Sequence, residues 1–176
     1  MKTVPQLTNP VLADAVVHTL STNLHTLNWL QYVYPIAQTG YNDKGETYPM
    51  VYAEDGTEDY YPLLPDDNVS AFSFFTCSGF NIGNPGELNT YNLSLYVWCR
   101  LDNIHTNAND FTMSLINDCA IILKDAGGSE IYAEIKDPFA EFTALDYHEN
   151  SMLMRKRSGF RIDFTIYGDN YCLSDL

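Results

Sequence analysis

Apolar residues recur along this chain at two different periods, and the two periods mark out its helices and strands. Leu12, Val16, Leu20, Leu24 and Leu27 follow a helical spacing behind Asn9-Pro10, an N-cap residue with proline at the first helical position. An amphipathic helix over 10–27 is predicted, with Asp14, His18 and His25 on its solvent face. A second helical stripe, Phe111, Leu115, Ile116, Cys119, Ile122 and Leu123, predicts a helix over 109–125. Asn109 is placed to cap it, and Gly127-Gly128 to end it in the left-handed manner.

The strand period appears most clearly near the C-terminal end. In "GFRIDFTIYG" (159–168), Phe160, Ile162, Phe164 and Ile166 alternate with Arg161, Asp163, Thr165 and Tyr167. "VSAFSFFTCSGF" (69–80) and "TYNLSLYVWCRL" (90–101) read as two long strands joined by a loop holding Gly83, Pro85 and Gly86. In the second of these, Leu93, Leu95, Val97, Cys99 and Leu101 point one way. Asn92, Ser94, Tyr96, Trp98 and Arg100 point the other, so a face bearing Tyr and Trp needs a cover. "EIYAEI" (130–135) predicts a short strand, and "DPFAEFTALDYHENSML" (137–153) fits neither period.

"WLQYVYPIAQ" and "ETYPMVYAE" flank the turn cluster "TGYNDKG", which predicts a long hairpin pairing 29–38 with 46–54. Pro35 and Pro49 each remove a ladder donor, so part of this hairpin must be an edge or project from the body. The expected fold is therefore α+β and a single domain over 1–176. It comprises an antiparallel sheet, two amphipathic helices on one face, and a projecting hairpin and acidic loop over about 29–68.

Composition narrows the choice of partner. The net charge is -14, a sign that repels phosphate backbones and anionic lipid, so sequence-reading of DNA and binding to a membrane surface are not expected. The N-terminus has no apolar signal core, and no run of apolar residues is long enough to span a bilayer. From Asp43 to Asp67 there are eight acids and one lysine, a net of -7. Arg155, Lys156 and Arg157, in contrast, gather three of the nine basic residues in one place, suited to the acidic surface of a neighbouring copy.

The tests for chemistry return little. His18 and His25 lie seven residues apart, roughly 10 Å along a helix, too far to share one ion. Asp14 and His18 are close enough to pair, and His105 and His148 have no helical His partner. The segment from Asp55 to Asp59 offers oxygen ligands without the spacing of a calcium-binding loop. Cys77, Cys99, Cys119 and Cys172 form no CxxC pair and read as free thiols, with a Cys77–Cys99 cross-strand disulfide left open. No nucleophile-elbow or phosphate-loop motif occurs, so no enzyme, cofactor or metal is expected.

The order of elements resembles that of tail-terminator and head–tail joining proteins of tailed bacteriophages. The resemblance lies in "NPVLADAVVHTLSTNLHTL", the pair "AFSFFTCSGF" and "NLSLYVWCRL", the helix "NDFTMSLINDCAIIL" and the closing "GFRIDFTIYG". The Tyr- and Asn-rich, Lys-poor style is similar to that of neck components in crAss-like phages. This resemblance implies a structural virion protein without an active site, assembled in the host cytoplasm into an oligomeric ring at the neck. DNA would pass through the ring without specific binding, and other neck or tail proteins would be its partners. On that reading Tyr32, Tyr34, Tyr48, Tyr52, Tyr60, Tyr61, Arg155, Lys156 and Arg157 are the expected subunit interface. The alternative is a non-catalytic carbohydrate-binding or other extracellular β-rich module, in which exposed Trp and Tyr stack on sugars.

Overall fold

The computed structural model describes residues 12–53, 59–65, 68–81, 83–84, 87–104, 111–145 and 157–168. In chain order these form α1 (Leu12–Leu24), β1 (Tyr32–Ile36), β2 (Gln38–Tyr41), β3 (Thr47–Ala53) and β4 (Asp59–Pro62). There follow β5 (Ala71–Asn81), β6 (Asn89–Arg100), α2 (Leu101–Ile104), α3 (Phe111–Asp125), β7 (Ser129–Glu134) and β8 (Arg157–Gly168). A 3₁₀ turn, Thr143–Leu145, lies between β7 and β8 among the described residues. The fold is α+β, as the two periods predict.

The main sheet has five strands in the order β1-β5-β6-β8-β7. Its centre is an antiparallel trio, with β6 paired along its whole length to β8 and to β5 on the other side. Phe160, Ile162, Phe164 and Ile166 of β8 join Leu93, Leu95, Val97 and Cys99 of β6 in one buried layer. Val17, Leu20 and Leu24 of α1 and Leu115, Ile116, Cys119 and Leu123 of α3 pack into the same layer. Both helices thus lie on one face, as expected, each burying the stripe its sequence shows.

The end of α3 is closed by backbone geometry. Gly127 takes a positive φ of 88°. Its N–H bonds the Lys124 carbonyl at 2.9 Å, and the Gly128 N–H bonds that of Leu123 at 2.8 Å. This double bond pattern satisfies two carbonyls that a helix end otherwise leaves open. A Cβ at Gly128 would lie 2.7 Å from the Leu123 oxygen, so the second glycine is needed for space.

The predicted hairpin differs from the structure. Residues 32–36 do not pair with 46–54; β1 joins the main sheet parallel to β5, with Tyr32 opposite Phe72. The main sheet is therefore mixed rather than wholly antiparallel. Past Ala37 the chain turns into a separate three-stranded sheet ordered β2-β3-β4. Pro35 sits on an edge strand, as required, but Pro49 lies in the central strand of the small sheet. That position is tolerated because the Pro49 carbonyl accepts from Leu63 N–H at 2.8 Å, just past the end of β4. The missing N–H, on the same side, therefore interrupts no ladder.

The small sheet does not simply project. Val51 and Leu63 are buried with Phe72, Phe74, Tyr96 and Trp98 on the main sheet's second face. Phe139, Phe142 and Leu145 complete this second core, so the stretch with no period supplies part of the cover. Phe74 stacks on Tyr96 at 4.9 Å, Phe72 on Trp98 at 5.4 Å, and Phe142 meets Phe74 edge-on at 5.5 Å. A Cβ on Gly159 would overlap the Phe139 ring, so glycine in β8 lets that ring lie against the strand.

Candidate interface

The outer side of the small sheet follows from its register. Tyr52 is opposite Tyr60, Met50 opposite Pro62, and Gly40 opposite Tyr48. These residues share the face turned away from buried Val51. Gly40 is its floor, for a Cβ there would come within 2.6 Å of Met50 Sδ and 2.8 Å of the Tyr48 ring. The Tyr52 and Tyr60 rings lie 5.4 Å apart at 62°, and Tyr60 is 48% exposed.

A closed turn shapes this sheet, and bonds from Thr47 to residues 141–143 hold it in place. In the β2–β3 turn, Asn42 Oδ1 accepts from the N–H groups of Lys44 and Glu46, both at 3.0 Å, and Gly45 takes a φ of 79°. Just beyond, Thr47 N–H donates to Thr143 Oγ1 at 2.9 Å, and Thr143 N–H returns the bond to Thr47 Oγ1 at 2.9 Å. Thr47 Oγ1 also donates to the Glu141 carbonyl at 2.8 Å. Hence the aromatic face is mounted on a backbone clipped to the second core.

The expected interface tyrosines divide into two groups. Tyr48 and Tyr52 on β3 and Tyr60 and Tyr61 on β4 belong to the small sheet, with Tyr60 and Tyr61 exposed. Tyr32 and Tyr34 belong to β1 of the main sheet, half-buried against the second core. Burial raises the Tyr34 phenol's pKa, with Tyr32 adding to it, and the ring meets Phe72 edge-on at 6.3 Å. They therefore stand on the main sheet and not on the small one. Arg155 and Lys156 lie outside the described residues, while Arg157 opens β8 directly opposite Arg100. Only register reveals that second arginine.

The other candidates stay apart. His18 and His25 are exposed. The Asp14 side chain, His105, His148, Cys172 and residues 54–58 lie outside the described residues, so the calcium-loop and Asp14–His18 readings gain no geometry. Among the described residues no group of three or more His, Cys, Asp or Glu is placed to hold a metal ion. Cys77 is opposite Leu93 and Cys99 opposite Ala71. The six-residue offset, roughly 20 Å along the ladder, excludes a Cys77–Cys99 disulfide. Burial pushes the Cys99 thiol up to about 12 and also raises Cys119, as suits inert core thiols.

A polar chain at the margin of the second core escaped sequence reasoning. Tyr96 Oη donates to Glu141 at 3.0 Å, and Arg161 lies 3.0 Å from Asp163, which accepts from Ser94 Oγ at 2.6 Å. Burial, reinforced by the Glu141 carboxylate, raises the Tyr96 phenol's pKa. Beyond it, the open half of this sheet face shows Tyr132, 61% exposed, and Tyr167, 53% exposed. No helix among the described residues is long and apolar enough to cross a membrane. Compared with known proteins, the chain matches no family model, no curated protein and no solved structure.

Proposed function

We propose that this chain is a structural virion protein of a phage neck or tail, a subunit of an oligomeric ring at the head–tail junction. The observation that supports it is the small sheet. Its inner side is fixed by the second core, while its outer side offers Tyr48, Met50, Tyr52, Tyr60 and Pro62. Tyrosine suits an interface because the ring buries area while the hydroxyl keeps a polar partner. The stretch from Asp43 to Asp67, which overlaps this sheet and runs on past it, carries -7 of the net -14, a sign that keeps passing DNA from adhering. Imaging of assembled particles tests the reading: residues 38–62 are expected against an adjacent copy or another neck protein. Finding that surface in bulk solvent throughout the particle overturns it.

A second reading rests on Tyr132 and Tyr167, whose exposure on an open sheet face suits stacking against sugar rings. A glycan array with the purified protein separates the two. Saccharide binding abolished by Tyr132→Ala favours the carbohydrate-binding module, and an empty array favours assembly.

A further inference from the structure

Glu141 belongs to two bonding networks at once. Its carboxylate accepts from Tyr96 Oη on β6 at 3.0 Å, while its backbone carbonyl accepts from Thr47 Oγ1 on β3 at 2.8 Å. Thr47 and Thr143 close the second network, each N–H donating to the other's hydroxyl at 2.9 Å. One residue of the cover thus joins the main sheet to the small sheet. The core beneath is the smaller of the two: among the described residues it gathers ten buried apolar side chains, against twenty-one on the helix side. Of the ten, the small sheet supplies Val51, with Leu63 just past β4. A region that breaks few apolar contacts when it opens is the first to open. Strands of four, seven and four residues make a sheet too small to persist once undocked, so its ladder is lost with its docking.

We infer that residues 139–145 and the small sheet form one lid over Phe72, Phe74, Tyr96 and Trp98, with Glu141 as its latch. The lid opens as a unit while the helix-side core stays closed. Glu141 suits that role because its side chain is 63% exposed and adds little buried area. What it adds is the bond to Tyr96, whose ring is fully buried. Arg161 Nη1, 4.0 Å from the other carboxylate oxygen, adds attraction from β8. This goes beyond the neck reading, since it holds whatever partner the small sheet meets.

Amide exchange on the full chain tests it. In the parent protein the β2–β4 ladder and the amides of Phe142, Thr143 and Leu145 are expected to share one protection factor, below that of α3 and β8. Tyr96→Phe keeps the ring that stacks on Phe74 and removes the hydroxyl. Both segments should then lose protection by the same factor, about tenfold or more, with α3 unchanged. Thr47→Val cuts the other tie: the small sheet should lose protection while Phe142 and Leu145 keep most of theirs. Unlike protection of the two segments in the parent overturns the inference. So does no loss, a loss confined to 139–145, or an equal loss at α3 in Tyr96→Phe. A small sheet that stays matched to Phe142 and Leu145 in Thr47→Val overturns it as well.

Discussion

On the helix side of the main sheet, Leu20, Leu24, Leu93, Leu95, Val97, Leu115, Leu123, Phe160, Ile162 and Ile166 fill a mainly aliphatic core. On the other side the same strands turn Phe72, Phe74, Tyr96 and Trp98 towards Phe139, Phe142 and the small sheet. The first core is closed by two long helices whose stripes interdigitate with the sheet. The second is closed by short strands and turns, which bury few side chains each, so large flat rings supply the area instead. A sheet with one regular and one irregular cover therefore needs different side chains on its two faces.

The comparison can be broken most sharply at Phe164. It is buried beneath the helices and meets Phe75 edge-on at 6.5 Å, so Phe164→Ala should cost roughly 3–5 kcal/mol in denaturant unfolding. A loss below about 1 kcal/mol would mean that the helix-side core tolerates a void and is not the tighter of the two. Gly159→Ala probes the aromatic side, where the added methyl meets the Phe139 ring. About 1–3 kcal/mol is expected, with faster amide exchange over 139–145 and none at α3. Uniform acceleration in both places would show that the cores open together.

Alkaline unfolding sharpens the helix side further. Cys99 is held up to about 12 by burial, and Cys119 is raised as well. Below about pH 9 the folded and unfolded chains both keep these protons; above it only the unfolded chain releases them. Stability should then fall as pH rises, by up to about 1.4 kcal/mol per unit for each thiol, until the folded pKa is passed. Cys99→Ala should flatten that slope, whatever it does to the absolute stability. The smallest effect belongs to the outer face: Tyr60→Ala should leave stability within about 0.5 kcal/mol, as exposed positions do. A larger loss would make Tyr60 part of the fold rather than a surface for partners.

Legibility in the sequence followed regularity. β8 alternates over Phe160–Tyr167, and α3 carries a clean stripe ended by Gly127-Gly128, so local pattern sufficed for both. β1 and β2 are separated only by Ala37, and no turn residue marks where the chain changes sheet. The partner of β1 is set by packing against a strand some forty residues on, where Tyr32 meets Phe72. Phe139, Phe142 and Leu145 recur every third residue, linked by Phe142 N–H to Phe139 carbonyl and Leu145 N–H to Phe142 carbonyl, each at 2.8 Å. That spacing is the trace of successive tight turns, and it could have located the cover that Tyr96 and Trp98 required. Among the tyrosines singled out in the sequence, those on β3 and β4 share the small sheet, whereas Tyr32 and Tyr34 lie on β1, whose pairing the sequence did not reveal.

The parallel pairing of β1 with β5 has a consequence for the order of folding. Two parallel neighbours cannot be joined by a tight turn, and here the whole small sheet serves as the crossover between them. The antiparallel pair β5–β6 closes through a short loop, but β1 gains its place only after that long excursion has closed. α1 packs directly on β1, so the N-terminal part of the chain is expected to dock late, onto a sheet already assembled from β5 onwards. During synthesis the order of emergence is the reverse: α1 and β1 leave the ribosome first and must wait for their partner strand.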